Sequence, residues 1–275
     1  MEDRGAAAYA AEFIGTFLLV LFVGLILASN SQAGLGFTDF AVIGLLHAFV
    51  LMMLIASLGG TSGAHFNPAV TLTLAALRRI APVDAVIYVL LQLAGAVAAA
   101  LVVKLTLTGS ADATNYGATA VNDKFVSGNG GAFLAELLGT FALMWAIMGA
   151  AVNPRAEKSW APLVIGGTLG FAVMAIGPIT GAGLNPARAF GPALVGSAFD
   201  GAGTFLFVYV LGPAVGALLA GFLYELVVLQ PRMLAPGERP VDKLEINPVD
   251  SAVQEVMGTT APVDLPEGRA GDVGP

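Results

Sequence analysis

Long apolar stretches, separated by short polar or glycine-rich segments, run from residue 8 to residue 229 of the chain. A membrane-spanning helix takes roughly 20 apolar residues, because each residue adds about 1.5 Å along a hydrocarbon core about 30 Å thick. Stretches long enough for this lie at residues 8–28, 40–58, 83–106, 131–151, 162–179 and 203–229. The pattern therefore predicts an all-α membrane protein with six transmembrane helices.

Composition agrees with a membrane protein. Of the 275 residues, 57% are hydrophobic and 11% are charged, which is about half the charged fraction of a soluble domain. The first stretch follows Arg4 and could instead be a secretory signal, but it is longer than a signal core of about 7–15 residues and contains Glu12.

Cysteine is absent, which excludes disulfides, thiolate metal sites and thiol catalysis for this chain.

The loops predict the orientation, because Lys and Arg accumulate on the cytoplasmic side of a membrane. With six spans, Lys104 and Lys124 fall on one side, and the other side collects Arg4, Arg78, Arg79, Arg155, Lys158 and the basic residues of the tail. The N-terminal segment 1–7 and the tail 230–275 are therefore predicted to be cytoplasmic. The tail is acidic and rich in proline, a composition typical of disorder. The net charge of −7 gives no indication of a nucleic-acid partner.

An internal repeat divides the chain. The segment AEFIGTFLLVLFV at 11–23 aligns with AELLGTFALMWAI at 135–147, which places Glu12 over Glu136, and Asn67 aligns with Asn185 in the same scheme. The halves, about 8–106 and about 131–229, contain three spans each, so the second half must enter the membrane from the opposite face. Inverted repeats of this kind have functional sites near the bilayer midplane, where broken helices end.

Each half contains one Asn-Pro-Ala motif, formed by Asn67, Pro68 and Ala69 and by Asn185, Pro186 and Ala187. Asn is a favoured N-cap and proline suits the first turn, so both motifs predict helix starts. The runs that follow, to Arg79 and to Gly196, provide roughly 16–18 Å of helix, about half of the bilayer core. They predict two re-entrant half-helices that meet N-terminus to N-terminus. The segments that precede the two half-helices must cross the membrane as irregular backbone, which is tolerated only around a water-filled cavity or inside protein. A pore is therefore implied. The alternative is that both asparagines are simply N-caps.

The contexts SGAHFNPAV and GAGLNPARAFGPAL, with the duplicated AE..GTF starts, resemble the aquaporin, or major intrinsic protein, family over roughly residues 8–229. The resemblance implies a passive channel, not an enzyme, that passes water and small neutral solutes and excludes protons and ions. It implies no cofactor and no metal, and a homotetramer with one pore per subunit in a lipid bilayer. For an Ala-rich chain of this kind we expect a bacterial inner membrane.

The resemblance also implies roles for individual residues. Asn67 and Asn185 would donate hydrogen bonds to passing water. The backbone carbonyls that would accept hydrogen bonds from it belong to Gly63, Ala64, His65, Gly181, Ala182 and Gly183. The selectivity filter would consist of His47, Val173, Ala182 and Arg188. A charge inside a membrane, as at Arg188, marks a pathway on physical grounds as well.

His47 together with Val173 is similar to plant tonoplast intrinsic proteins, and implies a filter that also admits ammonia, hydrogen peroxide or urea. Alternatives stay open for the histidines, since His47 could bridge helices and His65 could brace its loop rather than contact solutes. Glu12 and Glu136 are predicted to accept hydrogen bonds from loop N–H groups that would otherwise be unpaired. No nucleophile or metal cluster accompanies them that would indicate catalysis.

Two other functions fit part of the sequence. Glycerol facilitators resemble this chain, but they usually have Asp after the filter arginine and a basic residue four positions further on, where this chain has Ala189 and Ala193. Tyr209 also favours the water-channel group. Secondary transporters share inverted repeats and broken helices, but coupling needs an ion site or a titrating relay, for which only His47, Arg188 and the two glutamates are available.

Mercury blocks many aquaporins through a thiol in the pore, and this chain has no cysteine. We expect water flux into proteoliposomes, followed by stopped-flow light scattering, to be unchanged by mercuric chloride. A thiol-bearing aquaporin in matched vesicles is the control. Rapid inhibition that a thiol reverses would contradict this expectation.

Overall fold

A computed structural model describes residues 5–33, 39–107, 109–126 and 128–230 of the chain. The predicted tail, apart from Gln230, lies outside the described residues. All regular secondary structure in the described ranges is helical, which confirms the all-α prediction. The α-helices are α1 (Gly5–Ala33), α2 (Asp39–Ser62), α3 (Pro68–Ala76), α4 (Pro82–Thr106), α5 (Ser110–Ala113), α6 (Asn129–Ile147), α7 (Ala161–Thr180), α8 (Pro186–Gly196), α9 (Ala202–Thr204) and α10 (Gly212–Tyr224).

Six helical stretches are long and apolar enough to cross a membrane, as predicted: Gly5–Asn30, Phe40–Ser62, Pro82–Thr106, Asn129–Val152, Lys158–Thr180 and Ala202–Leu229. The last five residues of the fourth span are π-helical (Met148–Val152), and the sixth span joins α9 and α10 through a second π segment (Phe205–Leu211). The second span is longer than the predicted 40–58, because α2 continues through Gly59 and Gly60. Glycine disfavours helix in water, but an apolar environment favours any conformation that pairs every backbone group.

The two halves of the chain pack in the same way. Within each half the first and last spans are in contact, α1 with α4 and α6 with α10, and α2 packs against α7 across the halves. Each short helix packs against the last span of the other half, α3 on α10 and α8 on α4. An isolated helix shorter than about 12–15 residues is marginal, so this exchange stabilises both short helices and ties the halves together.

The bundle has two ends, which we name after the ends of α1. At the Gly5 end, beyond α3, Arg79 forms an ion pair with Glu225 at 2.7 Å. At the Ala33 end, the connection between α4 and α6 contains a 3₁₀ turn, Asn115–Gly117, that packs on α1, α4 and α8. The half-helices α3 and α8 therefore lead from the middle of the bundle to opposite ends.

Two glycines at equivalent positions allow the first and last spans of each half to approach closely. A Cβ on Gly95 of α4 would lie 2.6 Å from the carbonyl oxygen of Phe13 in α1. A Cβ on Gly216 of α10 would overlap the carbonyl oxygen of Leu137 in α6, and Phe13 aligns with Leu137 in the repeat. Small residues at such contacts let membrane helices approach closely, which favours their association.

Replacing Gly95 or Gly216 by alanine should destabilise the bundle. The added methyl group would meet backbone rather than a flexible side chain, and overpacking of this kind costs about 1–3 kcal/mol. We expect the apparent melting temperature in detergent, measured from the monodisperse fraction left after heating, to fall by several degrees. Gly167→Ala on α7 is the matched control, since no neighbouring atom lies within 4 Å of its added Cβ. Equal losses in all three variants would rule out the packing explanation.

Candidate functional site

Both half-helices begin at the proline of an Asn-Pro-Ala motif. The side-chain oxygen of Asn67 accepts the N–H of Ala69 at 2.9 Å, and that of Asn185 accepts the N–H of Ala187 at 3.0 Å. The helices contain 9 and 11 residues, hence about 14 and 17 Å of length. The first ends at Ala76, before the end at Arg79 that the sequence predicted. The backbone becomes left-handed at Arg78. Both asparagines are thus N-caps.

The same two asparagines also join the halves of the chain. The amide Nδ2 of Asn67 donates to the carbonyl of Leu184 at 2.9 Å, and Nδ2 of Asn185 donates to the carbonyl of Phe66 at 2.8 Å. These acceptors are the residues that precede the opposite asparagine. A side-chain amide carries two N–H hydrogens, so each asparagine can donate a second hydrogen bond elsewhere.

The segments that lead into the half-helices have left-handed backbone at equivalent positions. The first has positive φ at Gly63, Ala64 and Phe66, and the second has it at Gly181, Ala182 and Leu184. Left-handed backbone costs a residue other than glycine on the order of 1 kcal/mol or more. Such a conformation persists only where its surroundings hold it.

Two fully buried carboxylates, equivalent in the repeat, hold these segments. Each accepts two backbone N–H groups of the segment in its own half, from His65 and Phe66 to Glu12 at 3.0 and 2.7 Å, and from Gly183 and Leu184 to Glu136 at 2.8 and 2.6 Å. Backbone groups in the middle of a membrane have no water to pair with. The carboxylates therefore satisfy donors that would otherwise oppose this backbone path.

Hydroxyl and amide groups that sequence analysis missed complete the support. Ser62 and Thr180 each donate to the carboxylate of their half at 2.6 Å. Tyr88 and Tyr209 donate to the backbone carbonyls of these two residues at 2.9 and 2.8 Å. Gln92 donates to the carboxylate of the first half at 2.8 Å. A signal was available, because polar residues inside apolar spans are rare and usually paired.

A cavity of about 60 Å³ lies beside the starts of both half-helices. A single water needs about 10–15 Å³ on this measure, so the cavity accommodates a short file of water molecules. Aliphatic side chains of α1, α2, α3, α6 and α7 contribute to its lining. Both asparagines line it, and so do five of the six residues predicted to supply carbonyls: Gly63, Ala64, His65, Ala182 and Gly183.

Arg188, on the first turn of α8, is the only charged residue among the described residues that line this cavity. It is 3% exposed, and Nη1 donates to the carbonyl of Gly117 at 2.8 Å. Nε is buried and has no hydrogen-bond partner in the described part of the chain. Nη1 is therefore the one guanidinium nitrogen that the described hydrogen bonds pair, and the residue itself borders the cavity. Nothing in the sequence pointed to Gly117, which lies in a loop far away along the chain.

His47 of α2 lines the same cavity. Its Nδ1 lies 2.8 Å from the carbonyl oxygen of Ile43, and since a carbonyl only accepts, Nδ1 carries the hydrogen. Nε2 is buried without a partner among the described residues. In the neutral ring Nε2 is then the acceptor. The hydrogen bonds within the described ranges give no support to a bridge between helices.

Of the other predicted site residues, His65 lines the cavity, whereas Val173 and Gly181 do not. His65 lines the cavity, and its Nδ1 also lies 3.1 Å from the Thr71 hydroxyl, so the ring is braced and exposed to the cavity at once. Val173 is 1% exposed and belongs to the hydrophobic cluster that contains Ala182, but it is not among the residues that line the cavity. Gly181 lines a separate cavity instead.

Comparison with solved structures supports the fold. The crystal structure of the aquaglyceroporin from Plasmodium falciparum matches with a TM-score of 0.68 at 23% sequence identity, over 81% of this chain and 96% of that one. At this identity the likeness concerns the fold alone. It agrees with the six spans and two half-helices described above.

Comparison of sequences identifies the family. The model described as "Major intrinsic protein" matches residues 4–224. The chain is 41% identical over 233 residues to aquaporin AqpM of Methanothermobacter thermautotrophicus, which covers 78% of this chain and 94% of the relative. It is 39% identical over 217 residues to glycerol uptake facilitator protein-like 6 of Lactiplantibacillus plantarum, with the same coverage of 78% and 94%. The chain therefore belongs to the major intrinsic protein family of membrane channels.

Proposed function

We propose that the chain forms a passive pore that conducts water and small neutral solutes and excludes protons and ions. The observation that carries this proposal is the pair of capping asparagines, Asn67 and Asn185, each bonded to the opposite half of the chain beside a cavity with room for a short file of water molecules. The second N–H of each amide is available to that cavity. Two donors side by side suit one water oxygen, which accepts up to two hydrogen bonds.

Exclusion of charge follows from the same arrangement. The N-terminus of a helix carries a partial positive charge, and two such ends meet here. A water oxygen that accepts from both amides directs its own hydrogens outward on both sides, which interrupts a chain for proton transfer. Cations meet the helix ends and Arg188, while an apolar lining does not replace the hydration of any ion. Pore diameter, lining donors and electrostatic barriers are the general means of selectivity in aquaporin-type pores.

The proposed selectivity filter consists of His47, Val173, Ala182 and Arg188. Arg188 supplies donors and the neutral His47 ring supplies an acceptor, a combination that suits solutes with N–H or O–H groups and lone pairs. Ala182 is small and apolar, and Val173, which packs in the core beside Ala182 and does not line the cavity, brings no second histidine into the passage. We therefore propose a passage wider than one with two histidines, and in this it resembles the filter of plant tonoplast intrinsic proteins. Ammonia, hydrogen peroxide and urea are the proposed solutes besides water.

Glycerol is the second candidate, because one relative is named a glycerol uptake facilitator. The positions where such facilitators carry an acid and a base are Ala189 and Ala193 here. Both are 0% exposed and pack with Ala132 and Val208. This close packing leaves no room for the two charged side chains that glycerol facilitators have at these positions. The chain lacks this feature of the facilitators, and we therefore favour solutes smaller than glycerol.

The membrane orientation is proposed from the basic residues. Arg79 and Lys158 line one cavity at the Gly5 end, and Lys104 lies at the other end, beside Tyr116. Because basic residues accumulate on the cytoplasmic side, we assign the Gly5 end to the cytoplasm. A homotetramer in a bacterial inner membrane, with an acidic cytoplasmic tail, completes the proposal by resemblance to the family.

The solute range can be tested with His47→Phe in proteoliposomes. Phenylalanine is bulkier and lacks the acceptor at Nε2, so urea and ammonia permeability should fall several-fold while water permeability changes little. Phe49→Leu, on the lipid-facing side of α2 where Phe49 is 58% exposed, is the matched control. Stopped-flow scattering with water, ammonia, urea and glycerol gives the four rates. If the wild type conducts water but neither urea nor ammonia, the proposal that it passes solutes other than water is wrong for these two. Flux that depends on a proton or sodium gradient would indicate a transporter.

Arg188→Val tests the filter charge, since valine is the residue at the equivalent position of the first half, Val70. Removal of the charge and of the donors should raise urea and glycerol permeability several-fold, and should allow a leak of protons or small cations. A pH-sensitive dye trapped in the vesicles measures the leak. Arg155→Val, in an exposed loop, is the control. Unchanged permeabilities in Arg188→Val would exclude a filter role for this arginine.

A further inference from the structure

The connection between α4 and α6 supplies the one carbonyl that holds Arg188 within the described ranges. This is the carbonyl of Gly117, at 2.8 Å from Nη1. Since the guanidinium has no second protein acceptor there, the position of this carbonyl determines where the charge lies. Whatever fixes Gly117 therefore also fixes the filter.

Gly117 belongs to a turn with unusual backbone. Asn115, Tyr116 and Gly117 have φ of 45°, 58° and 91°. Two consecutive left-handed residues other than glycine are unfavourable, so the surroundings must hold the turn. Gly117 lies so close to α1 that a Cβ on it would be 3.1 Å from Cα of Gly24.

The ring of Tyr116 is anchored on three sides. It is 8% exposed and packs in an apolar cluster with side chains of α1 and α4. Its hydroxyl donates to Oδ1 of Asp112 on α5, and Nζ of Lys104, in the last turn of α4, lies 5.2 Å from the ring centroid, within cation–π range. The hydrogen bond to Asp112, together with burial, raises the pKa of the Tyr116 phenol above its ordinary value.

We propose that Tyr116 is a positioning residue, because its anchored ring holds the turn that presents the Gly117 carbonyl to Arg188. The part of the pore that it positions is the proposed selectivity filter around Arg188, toward the Ala33 end, which we call the outer constriction. The inference rests on the filter role proposed above for Arg188. Lys104 and Asp112 act through Tyr116, and none of these three residues lines the cavity. Loss of the anchor lets the turn relax and releases the guanidinium, so the constriction widens although no residue of the pore has changed.

Graded variants of Tyr116 test this role through the ratio of urea to water permeability in proteoliposomes. Tyr116→Leu removes the ring and should raise the ratio several-fold. Tyr116→Phe keeps the ring and the Lys104 contact but loses the bond to Asp112, so the rise should be smaller. Asp112→Ala should match Tyr116→Phe, whereas Asp112→Asn keeps an acceptor oxygen and should stay near the wild type.

Tyr9→Phe is the matched control. The Tyr9 hydroxyl donates to Oδ1 of the buried Asp84 at 2.6 Å, a bond of the same kind at the Gly5 end of the bundle. Its removal should leave the ratio unchanged. A role in folding alone would lower both permeabilities together, so the ratio separates positioning from stability. If Tyr116→Leu does not give folded protein, Tyr116→Phe decides the question.

Combination with Arg188→Val identifies the route. If Tyr116 acts through Arg188, Tyr116→Phe adds nothing to the ratio of the Arg188→Val channel. A ratio changed by Arg188→Val but by neither Tyr116 variant overturns the positioning role and leaves the proposed function standing. A ratio unchanged by Arg188→Val overturns the filter itself, and the Tyr116 role with it. If the wild type passes water alone, urea flux should appear in the Tyr116 variants, and its absence overturns the inference.

Discussion

The need to pair backbone groups in a place without water governs the whole molecule. Two segments descend into the middle of the bundle as irregular chain, where unpaired N–H groups are costly. Glu12 and Glu136 accept those N–H groups, at distances of 2.6–3.0 Å. Because the carboxylates satisfy these donors, the two segments can keep an irregular path beside the cavity. The place of the cavity is thus a consequence of where the backbone donors are paired.

The two halves of the chain are alike in the residues that hold the irregular segments, but they differ in the residues that line the cavity. The carboxylates, the hydroxyls of Ser62 and Thr180 and the two tyrosines recur in both halves. The cavity lining differs at equivalent positions, where His65 aligns with Gly183 and Val70 with Arg188. The duplicated residues therefore build the scaffold, and the unmatched residues make the cavity lining asymmetric.

Local sequence signals were sufficient for most of the fold. Apolar length predicted the six spans, and the Asn-Pro-Ala motifs predicted the half-helix starts, because spans and N-caps depend on neighbouring residues. The length of α2 was underestimated, since Gly59 and Gly60 weaken a helix in water but not in an apolar bundle. The Gly117 contact could not be predicted, because it joins residues 71 positions apart through a backbone carbonyl that any residue type would supply.

The strength of support differs along the pore, and this bears on how selectivity is set. At the centre, each asparagine both caps its own helix and bonds to the opposite half, so its position is determined several times over. At the Ala33 end, the guanidinium of Arg188 has one described hydrogen-bond acceptor, a backbone carbonyl on a turn with left-handed backbone. A change in that turn can move the charge without disturbing the buried carboxylates or the half-helices. Under the filter role proposed for Arg188, the outer constriction is therefore the part of this fold where the range of solutes can change at the least cost to stability.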